Sequence, residues 1–298
     1  MKRRLFLWLC LLCCALPAWA SEAAEYRLPA PIAASYDDIL AQPQAVGVVV
    51  FEYDGRSAIT IIDFPTLAEQ GRMFNRVVAL IERIGAPRDR VLSNEELAGF
   101  IRSTGKTDTT FAWGNNFLIG ELVVFFNLAD LGNVRLNAEE LALRDYLLER
   151  GFIVLRNGFY QARRSRAVIL SIPRESAGGH GEPAVSALAR RTILTHEISH
   201  AEYYTNPLYA AYCRRFWNGV MTEPQRAAFR RFLAQESYNP DNEEMMINEM
   251  QAYLMYTPDP RAFNPHLVGM SEQEIAQLRR RFIEGFPGAP LAGRRSGS

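Results

Sequence analysis

Apolar positions recur with two different periods along the chain, and the period changes near residue 175. Before this point, short β-branched runs alternate with helical stretches. After it, apolar residues return every three or four positions, as on the buried face of a helix. The pattern predicts an α+β protein, with a mixed N-terminal lobe containing a small sheet over residues 45–175 and a mainly helical lobe over residues 176–285.

Turn and cap signals place the elements of the N-terminal lobe. The β-branched run AVGVVVFEY, the turn Asp54-Gly55 and the following SAITIIDF predict a β-hairpin. Ser93, with Glu96 three residues later, has the pattern of a capping box and predicts the start of a helix. The other predicted elements are a helix over residues 65–84, a loop at FAWGNNFLIG, a helix from Asn137 to Arg150, and strands at FIVL, GFYQA and AVILSIP.

Four helices are predicted in the C-terminal lobe. The first contains LTHEISHAEYY and ends before Pro207, because proline cannot continue a helix. The others are predicted near residues 223–235, 241–256 and 271–284. Two segments are expected to stay outside this architecture, namely an exposed Ala-, Pro- and Ser-rich linker at residues 21–44 and a disordered tail at residues 286–298.

The N-terminus has the pattern of a secretory signal peptide. Basic residues at positions 2–4 precede an apolar run that ends near Leu16, and the small-x-small sequence AWA ends at Ala20. The run is too short to span a bilayer, and no later segment is long enough either. Residues 1–20 are therefore predicted to be removed on export, which places a soluble mature protein in the periplasm or outside the cell.

Composition disfavours several other classes of function. The formal net charge of the chain is zero, which gives no indication of a nucleic-acid partner. Of the four cysteines, only Cys213 lies beyond the predicted signal peptide, so no internal disulfide is expected. Lysine occurs only at Lys2 and Lys106, which disfavours a lysine nucleophile. No pattern in the sequence indicates an oligomeric state.

Two of the four histidines stand four residues apart within LTHEISHAEYY. On a helix, His196 and His200 lie one turn apart on the same face and can share one metal ion. Glu197 is rotated from His196 by about 100°, so it can reach a water at the metal instead of binding the metal itself. This is the HExxH arrangement of zinc peptidases. The alternative is a helix with a purely structural pair of histidines.

A third ligand is expected, because a catalytic zinc takes three protein ligands and keeps one position open. Glu249 lies in the middle of a predicted helix among apolar residues, where an ionisable group needs a partner. Glu202, Glu243 and Glu244 are rival carboxylates. The first lies too close along the helix to close the site, and helix capping explains the other two. For Glu249, a plain position on a helix surface is the remaining alternative.

The sequence HEISH, together with the downstream NEMQA, resembles the gluzincin clan of zincin metallopeptidases. The resemblance covers two short motifs and implies a zincin-like fold. It also implies that His196, His200 and Glu249 bind Zn²⁺ and that Glu197 is the general base. Some relatives have an aspartate after the alanine of the second motif, where this chain has Tyr253. That difference leaves open which group orients each imidazole.

The resemblance further implies an exported zinc-dependent peptidase that cleaves a protein or peptide substrate. An endopeptidase is favoured, because the aminopeptidase motif GxMEN is absent. AVILSIP resembles the edge strand on which zincins hold an extended peptide. Candidates for stabilising the oxyanion or supporting the ligands are Tyr203, Tyr204, Tyr253, His266 and Asn248. The alternatives are a zinc hydrolase of a non-protein amide, such as a cell-wall amide, and a metal-retaining binding module without turnover.

Overall fold

The chain forms an α+β structure, with a small mixed sheet and a mainly helical C-terminal region. The computed structural model describes residues 26–41, 46–56, 58–179, 181–287 and 291. The predicted signal peptide and most of the predicted tail lie outside the described residues.

The described residues contain seven strands and ten α-helices. The strands are β1 (Ile32–Ala34), β2 (Val49–Tyr53), β3 (Ile59–Phe64), β4 (Asn115–Leu118), β5 (Ile153–Arg156), β6 (Phe159–Ala162) and β7 (Val168–Pro173). The helices are α1 (Tyr36–Ala41), α2 (Leu67–Ile81), α3 (Asn94–Ser103), α4 (Ile119–Leu131), α5 (Ala138–Glu149), α6 (Ala187–Thr205), α7 (Pro207–Arg215), α8 (Glu223–Gln235), α9 (Glu243–Tyr256) and α10 (Glu272–Gly285). A π-helical turn, Phe216–Val220, follows α7, and a 3-10 helix, Pro265–Val268, precedes α10.

Five strands form the main sheet, in the order β1-β2-β3-β7-β4. The predicted hairpin is confirmed, since β2 and β3 pair antiparallel. The predicted strand AVILSIP is confirmed as β7, but it does not form an edge. It is buried along its whole length between β3, to which it runs parallel, and β4, to which it runs antiparallel. The segment FAWGNNFLIG is not a loop, because it contains β4, and this strand forms the edge beside β7.

The cap signals in the sequence correspond to observed helix starts. Ser93 and Glu96 form the predicted capping box at the start of α3, and Asn137 with Glu140 forms another at α5. The helices predicted in the C-terminal lobe are confirmed as α6, α8, α9 and α10. The short helix α7, which the sequence analysis did not predict, begins directly at Pro207.

The expectation of an exposed linker at residues 21–44 is wrong for its described part. Residues Ile32–Ala34 form β1, which pairs parallel with β2, and α1 follows. The side chains of Tyr36 and Ile39 on α1 are buried. The Tyr36 hydroxyl lies 2.8 Å from the Thr195 hydroxyl on α6, so this segment packs against the helix that carries the histidines.

The two faces of the sheet pack against different helices, because alternate side chains of a strand point to opposite faces. On one face, Ile62 and Phe64 of β3 pack with apolar residues of α2, α4 and α5. On the other face, Ile61 of β3 and Leu170 of β7 pack with Leu194 and other residues of α6. The remaining C-terminal helices enclose a separate apolar cluster of their own. Helix α6 therefore lies between the sheet and the helical region.

A buried ion pair fixes α6 against the sheet. Arg190 on α6 binds both carboxylate oxygens of Asp63 on β3, at 2.9 and 3.0 Å. It also donates to the backbone carbonyls of Ile39 and Pro173. Asp63 and Arg190 are both almost completely buried. A bidentate pair of this kind restricts orientation as well as distance, so it holds the first half of α6 in one place relative to the sheet.

No helix within the described part of the chain combines the length and the apolar character that crossing a membrane requires.

Candidate metal centre

Helices α6 and α9 bring together the residues of the two sequence motifs. His196 and His200 lie on α6, and Glu249 lies on α9. The Nε2 atoms of both histidines are 3.6 Å from Oε2 of Glu249. The ligand atoms of the three residues all lie within 4.8 Å of one another. The structure therefore contains a buried His-His-Glu group that could hold a metal ion.

The unpaired atoms of this group fit a metal ion. Nε2 of His200 and Oε2 of Glu249 are buried and have no hydrogen-bond partner. In a tetrahedral zinc site, bonds of about 2.0–2.1 Å place neighbouring ligand atoms roughly 3.3 Å apart. The separations of 3.6 Å are close to this value, although too long for direct hydrogen bonds. A cation between the three atoms would satisfy groups that are otherwise left without a partner.

Hydrogen bonds on the far side of each imidazole fix its orientation. Nδ1 of His200 lies 3.0 Å from Oδ1 of Asn248, an atom that can only accept a hydrogen bond. Nδ1 of His196 lies 2.9 Å from the Thr257 hydroxyl, which donates its own proton to the carbonyl of Ala252. Both Nδ1 atoms therefore carry the proton, and both Nε2 lone pairs are available to a metal.

Burial also sets the charge of the three side chains. It lowers the pKa of His196 and of His200 to about 4, so both rings are neutral at pH 7, as metal ligands must be. Burial raises the pKa of Glu249, and the nearby His200 opposes this change. A buried carboxylate is costly without a compensating charge. A metal cation held between the three side chains would supply that charge.

Glu197 points into a cleft beside the three residues. Burial raises its pKa well above the ordinary value, against a hydrogen bond of 2.9 Å from the side-chain amide of Asn116. Asn116 belongs to β4, so the edge strand positions this carboxyl group. Gly114, just before β4, leaves the necessary space, since a Cβ atom there would overlap Oε1 of Glu197 and would lie 2.7 Å from Cγ2 of Ile193.

The cleft has a volume of about 480 Å³ and reaches both His196 and Glu197. One wall comes from the N-terminal lobe and includes Trp113 and Gly114. The other comes from the C-terminal helical region and includes Tyr238. A small molecule or an extended peptide could therefore reach the imidazole and the carboxyl group from one side.

The structure brings only some of the other predicted residues to this site. Tyr253 lines the cleft, and its ring packs edge-to-face on His196 with the centroids 4.8 Å apart. The half-buried Tyr204 lies near Asn248, which opposes the rise of the Tyr204 pKa that burial causes. Tyr203 and His266 do not belong to the site. Tyr203 donates to Glu244 at 2.7 Å, and His266 is exposed on the 3-10 helix and does not line the cleft.

The rival carboxylates all have other partners. Glu202 forms an ion pair with Arg56. Glu243 pairs with Arg230 and accepts from the Trp217 indole at 2.6 Å. Glu244 pairs with Arg214 and accepts from Tyr203. Of the four carboxylates considered from the sequence, Glu249 alone faces the histidines.

Thr257, Asn116 and Gly114 were not among the residues predicted from the sequence. Thr257 follows α9 in YTPDP and belongs to no motif, and the other two lie in the segment that was interpreted as a loop. For Gly114 and Asn116, one signal was present in the sequence, and Thr257 had none. That signal was the glycine and asparagines in FAWGNNFLIG, residue types that allow a close backbone approach and hydrogen bonding to a neighbouring group.

The class of protein that the fold and the site define is an α+β protein with a buried His-His-Glu group able to hold a metal ion. Comparison of the chain with protein families, with curated proteins and with solved structures found no match.

Replacing Asn248 with alanine is expected to weaken metal binding by about 10- to 100-fold, the usual effect of removing a residue that orients a ligand. Without Oδ1 of Asn248, the His200 ring loses the acceptor that keeps its proton on Nδ1. Competition with a zinc-sensitive dye measures the dissociation constant. Asn242→Ala, at the exposed N-cap of α9, is the matched control and should bind metal as the parent does. Equal affinity in parent and Asn248→Ala would show that Asn248 has no orienting role.

Proposed function

We propose that the protein is a zinc-dependent metallopeptidase of the gluzincin type with a zincin-like fold. One observation carries the proposal. The two histidines of an HExxH helix direct their Nε2 atoms at an unpaired glutamate oxygen, 3.6 Å from each, and Glu197 lies beside them in a cleft. A structural pair of histidines would not need an unpaired buried carboxyl group opposite it.

Zinc is the metal that this set of donors favours. Two imidazole nitrogens and one carboxylate oxygen form the ligand set of several catalytic zinc sites, in which a fourth position stays open. Here the cleft reaches His196, which leaves room for that position. Bound zinc would supply a Lewis acid that polarises a carbonyl group and lowers the pKa of water.

Glu197 would act as general base and then as general acid. A carboxyl group with a raised pKa can both accept and return a proton near neutral pH. Asn116 holds one carboxylate oxygen of Glu197, which leaves the other to accept the proton of the attacking water. Glu197 would next deliver that proton to the leaving amine. Tyr253, which lines the cleft and packs on His196, is the hydroxyl group best placed to donate to the developing oxyanion.

The edge strand supports a peptide as the substrate. Within the described residues, β4 pairs with β7 on one side, and no strand pairs with its other side. An extended peptide can add to such an edge by main-chain hydrogen bonds. Because Asn116 of β4 also binds Glu197, a peptide paired with this edge would pass close to the proposed base. If the predicted signal peptide is functional, the substrates are proteins or peptides outside the cytoplasm.

The proposal is tested with the purified mature chain, residues 21–298, and a diverse peptide library analysed by mass spectrometry. Cleavage is expected, chelation of the metal should abolish it, and added zinc should restore it. Purified cell-wall fragments form a second arm of the experiment. Release of peptide from those fragments without cleavage of the library would assign a non-protein amide as the substrate. Zinc binding with no hydrolysis in either arm would indicate a binding module instead of an enzyme.

A further inference from the structure

One carboxyl group in the cleft has no role in the proposed mechanism. Glu82 follows the last turn of α2, and its backbone N–H donates to the carbonyl of Val78 at 2.9 Å. The side chain is half-buried and lines the cleft together with His196 and Glu197. Within the described part of the chain, no residue forms a hydrogen bond or an ion pair with its carboxylate.

Among the described residues, no cation of the cleft wall forms an ion pair with this carboxylate. Arg83 donates to the backbone carbonyls of Phe111 and Glu236, at 2.9 and 3.1 Å. Its guanidinium group also stacks over the rings of Phe111 and Tyr238. Arg261 forms an ion pair of 2.6 Å with Asp259. The remaining cation of the wall, Lys106, is exposed and forms no ion pair with Glu82.

The charge of Glu82 and the charges of the acidic residues at the proposed metal centre affect one another's pKa. Burial raises its pKa to about 8, the negative charge of Glu249 adds to this effect, and the positive charge of Arg83 opposes it. Glu82 in turn contributes to the raised pKa of Glu197. An ionised carboxylate in this position is costly unless a cation comes to it.

We propose that Glu82 binds a cationic group of the substrate, an ammonium or a guanidinium, next to the scissile bond. This inference rests on the proposed peptidase function and names its substrate class. The cation can be the side chain of a lysine or arginine or the N-terminal amine of a peptide, because both present N–H donors to a carboxylate. A substrate with such a group would form an ion pair with the Glu82 carboxylate. A neutral substrate would displace water from this carboxylate without providing a partner for it.

The test uses a peptide that the zinc-loaded mature chain cleaves in the library, together with two changed versions of it. In one version norleucine replaces the lysine or arginine near the scissile bond, and in the other the N-terminus is acetylated. Glu82→Gln is compared with the parent, and Glu95→Gln, on the exposed face of α3, is the matched control. Circular dichroism and zinc content establish that each variant is folded and loaded.

The parent is expected to prefer the cationic peptide by about tenfold in kcat/KM, mainly through KM, and Glu82→Gln should lose this preference. Glu95→Gln should keep it. Sensitivity to norleucine would identify a side-chain cation, and sensitivity to acetylation would identify the N-terminal amine.

Three results would overturn the inference. One is cleavage by the parent without any preference for a cationic peptide, which leaves the peptidase function intact. Another is a preference that survives in Glu82→Gln, whether or not Glu236→Gln removes it; apart from Glu82 and the proposed base Glu197, Glu236 is the acidic side chain of the wall that forms no ion pair with the described residues. The third is absence of cleavage by the parent, which overturns the peptidase function and this inference together.

Discussion

Glu249→Ala is expected to abolish stoichiometric zinc binding by the mature chain. The parent should contain one zinc ion per chain, and the variant should bind zinc at least a hundredfold more weakly. This estimate follows from structural zinc sites, where four ligands share about 10–16 kcal/mol, so that each ligand contributes roughly 3 kcal/mol. Alanine removes the one carboxylate oxygen that, among the described residues, faces both Nε2 atoms. Elemental mass spectrometry after dialysis measures the zinc content.

Glu244→Ala is the matched control for this experiment. It lies on the same helix, α9, but its carboxylate pairs with Arg214 and accepts from Tyr203. Ion pairs of this exposure contribute little to stability, so the variant should fold and keep its zinc. Equal loss of zinc in both variants would indicate damage to α9 in general. Full zinc content in Glu249→Ala would contradict the assignment of Glu249 as a ligand.

Glu197→Gln is expected to lower the rate of hydrolysis by roughly 10²–10⁴-fold, the range over which general acid–base catalysis contributes. Glutamine has the shape of glutamate, and the Asn116 amide can still donate to its side-chain oxygen. It cannot take a proton from water at neutral pH, however. Zinc content should stay at the level of the parent, because Glu197 is not one of the three residues that face the candidate metal position. The combination of retained zinc and lost turnover separates a base from a ligand.

Two other outcomes of this experiment would change the interpretation of the site. Unchanged activity in Glu197→Gln would contradict its role as a base and would require another group in the cleft to accept the proton. Loss of zinc together with activity would place Glu197 among the ligands. Glu202→Gln, on the same helix but paired with Arg56, is the matched control and should retain both zinc and activity.

Local patterns were sufficient to predict most of the elements that hold the site. The helix α3 begins after Ser93, as its capping partner Glu96 predicted. The helix α5 follows Asn137, its predicted start, and α8 occupies the predicted residues 223–235. These signals depend on residues within one or two turns of each other, so they can be recognised from the sequence without the tertiary structure. The helical spacing of His196 and His200 belongs to the same kind of information.

Long-range contacts decided what local patterns could not. The short segment at β4 has a weak strand signal of its own, and only pairing with β7 makes it the edge strand that positions Asn116. Tyr203 and Tyr204 are adjacent in the sequence, but neighbouring side chains of a helix point in different directions. Tyr203 donates a hydrogen bond to Glu244, away from the site, whereas Tyr204 lies near Asn248.

The sequence by itself was sufficient to select the residues of a candidate metal group, namely two histidines one helical turn apart and Glu249 in a second apolar helix. The tertiary structure alone showed that Asn248 and Thr257 orient the rings, that Asn116 holds Glu197, and that Glu82 has no partner among the described residues of the cleft. The physical reason is distance along the chain. Helix geometry fixes contacts between residues a few positions apart, and the packing of α6 against the sheet and α9 fixes the rest.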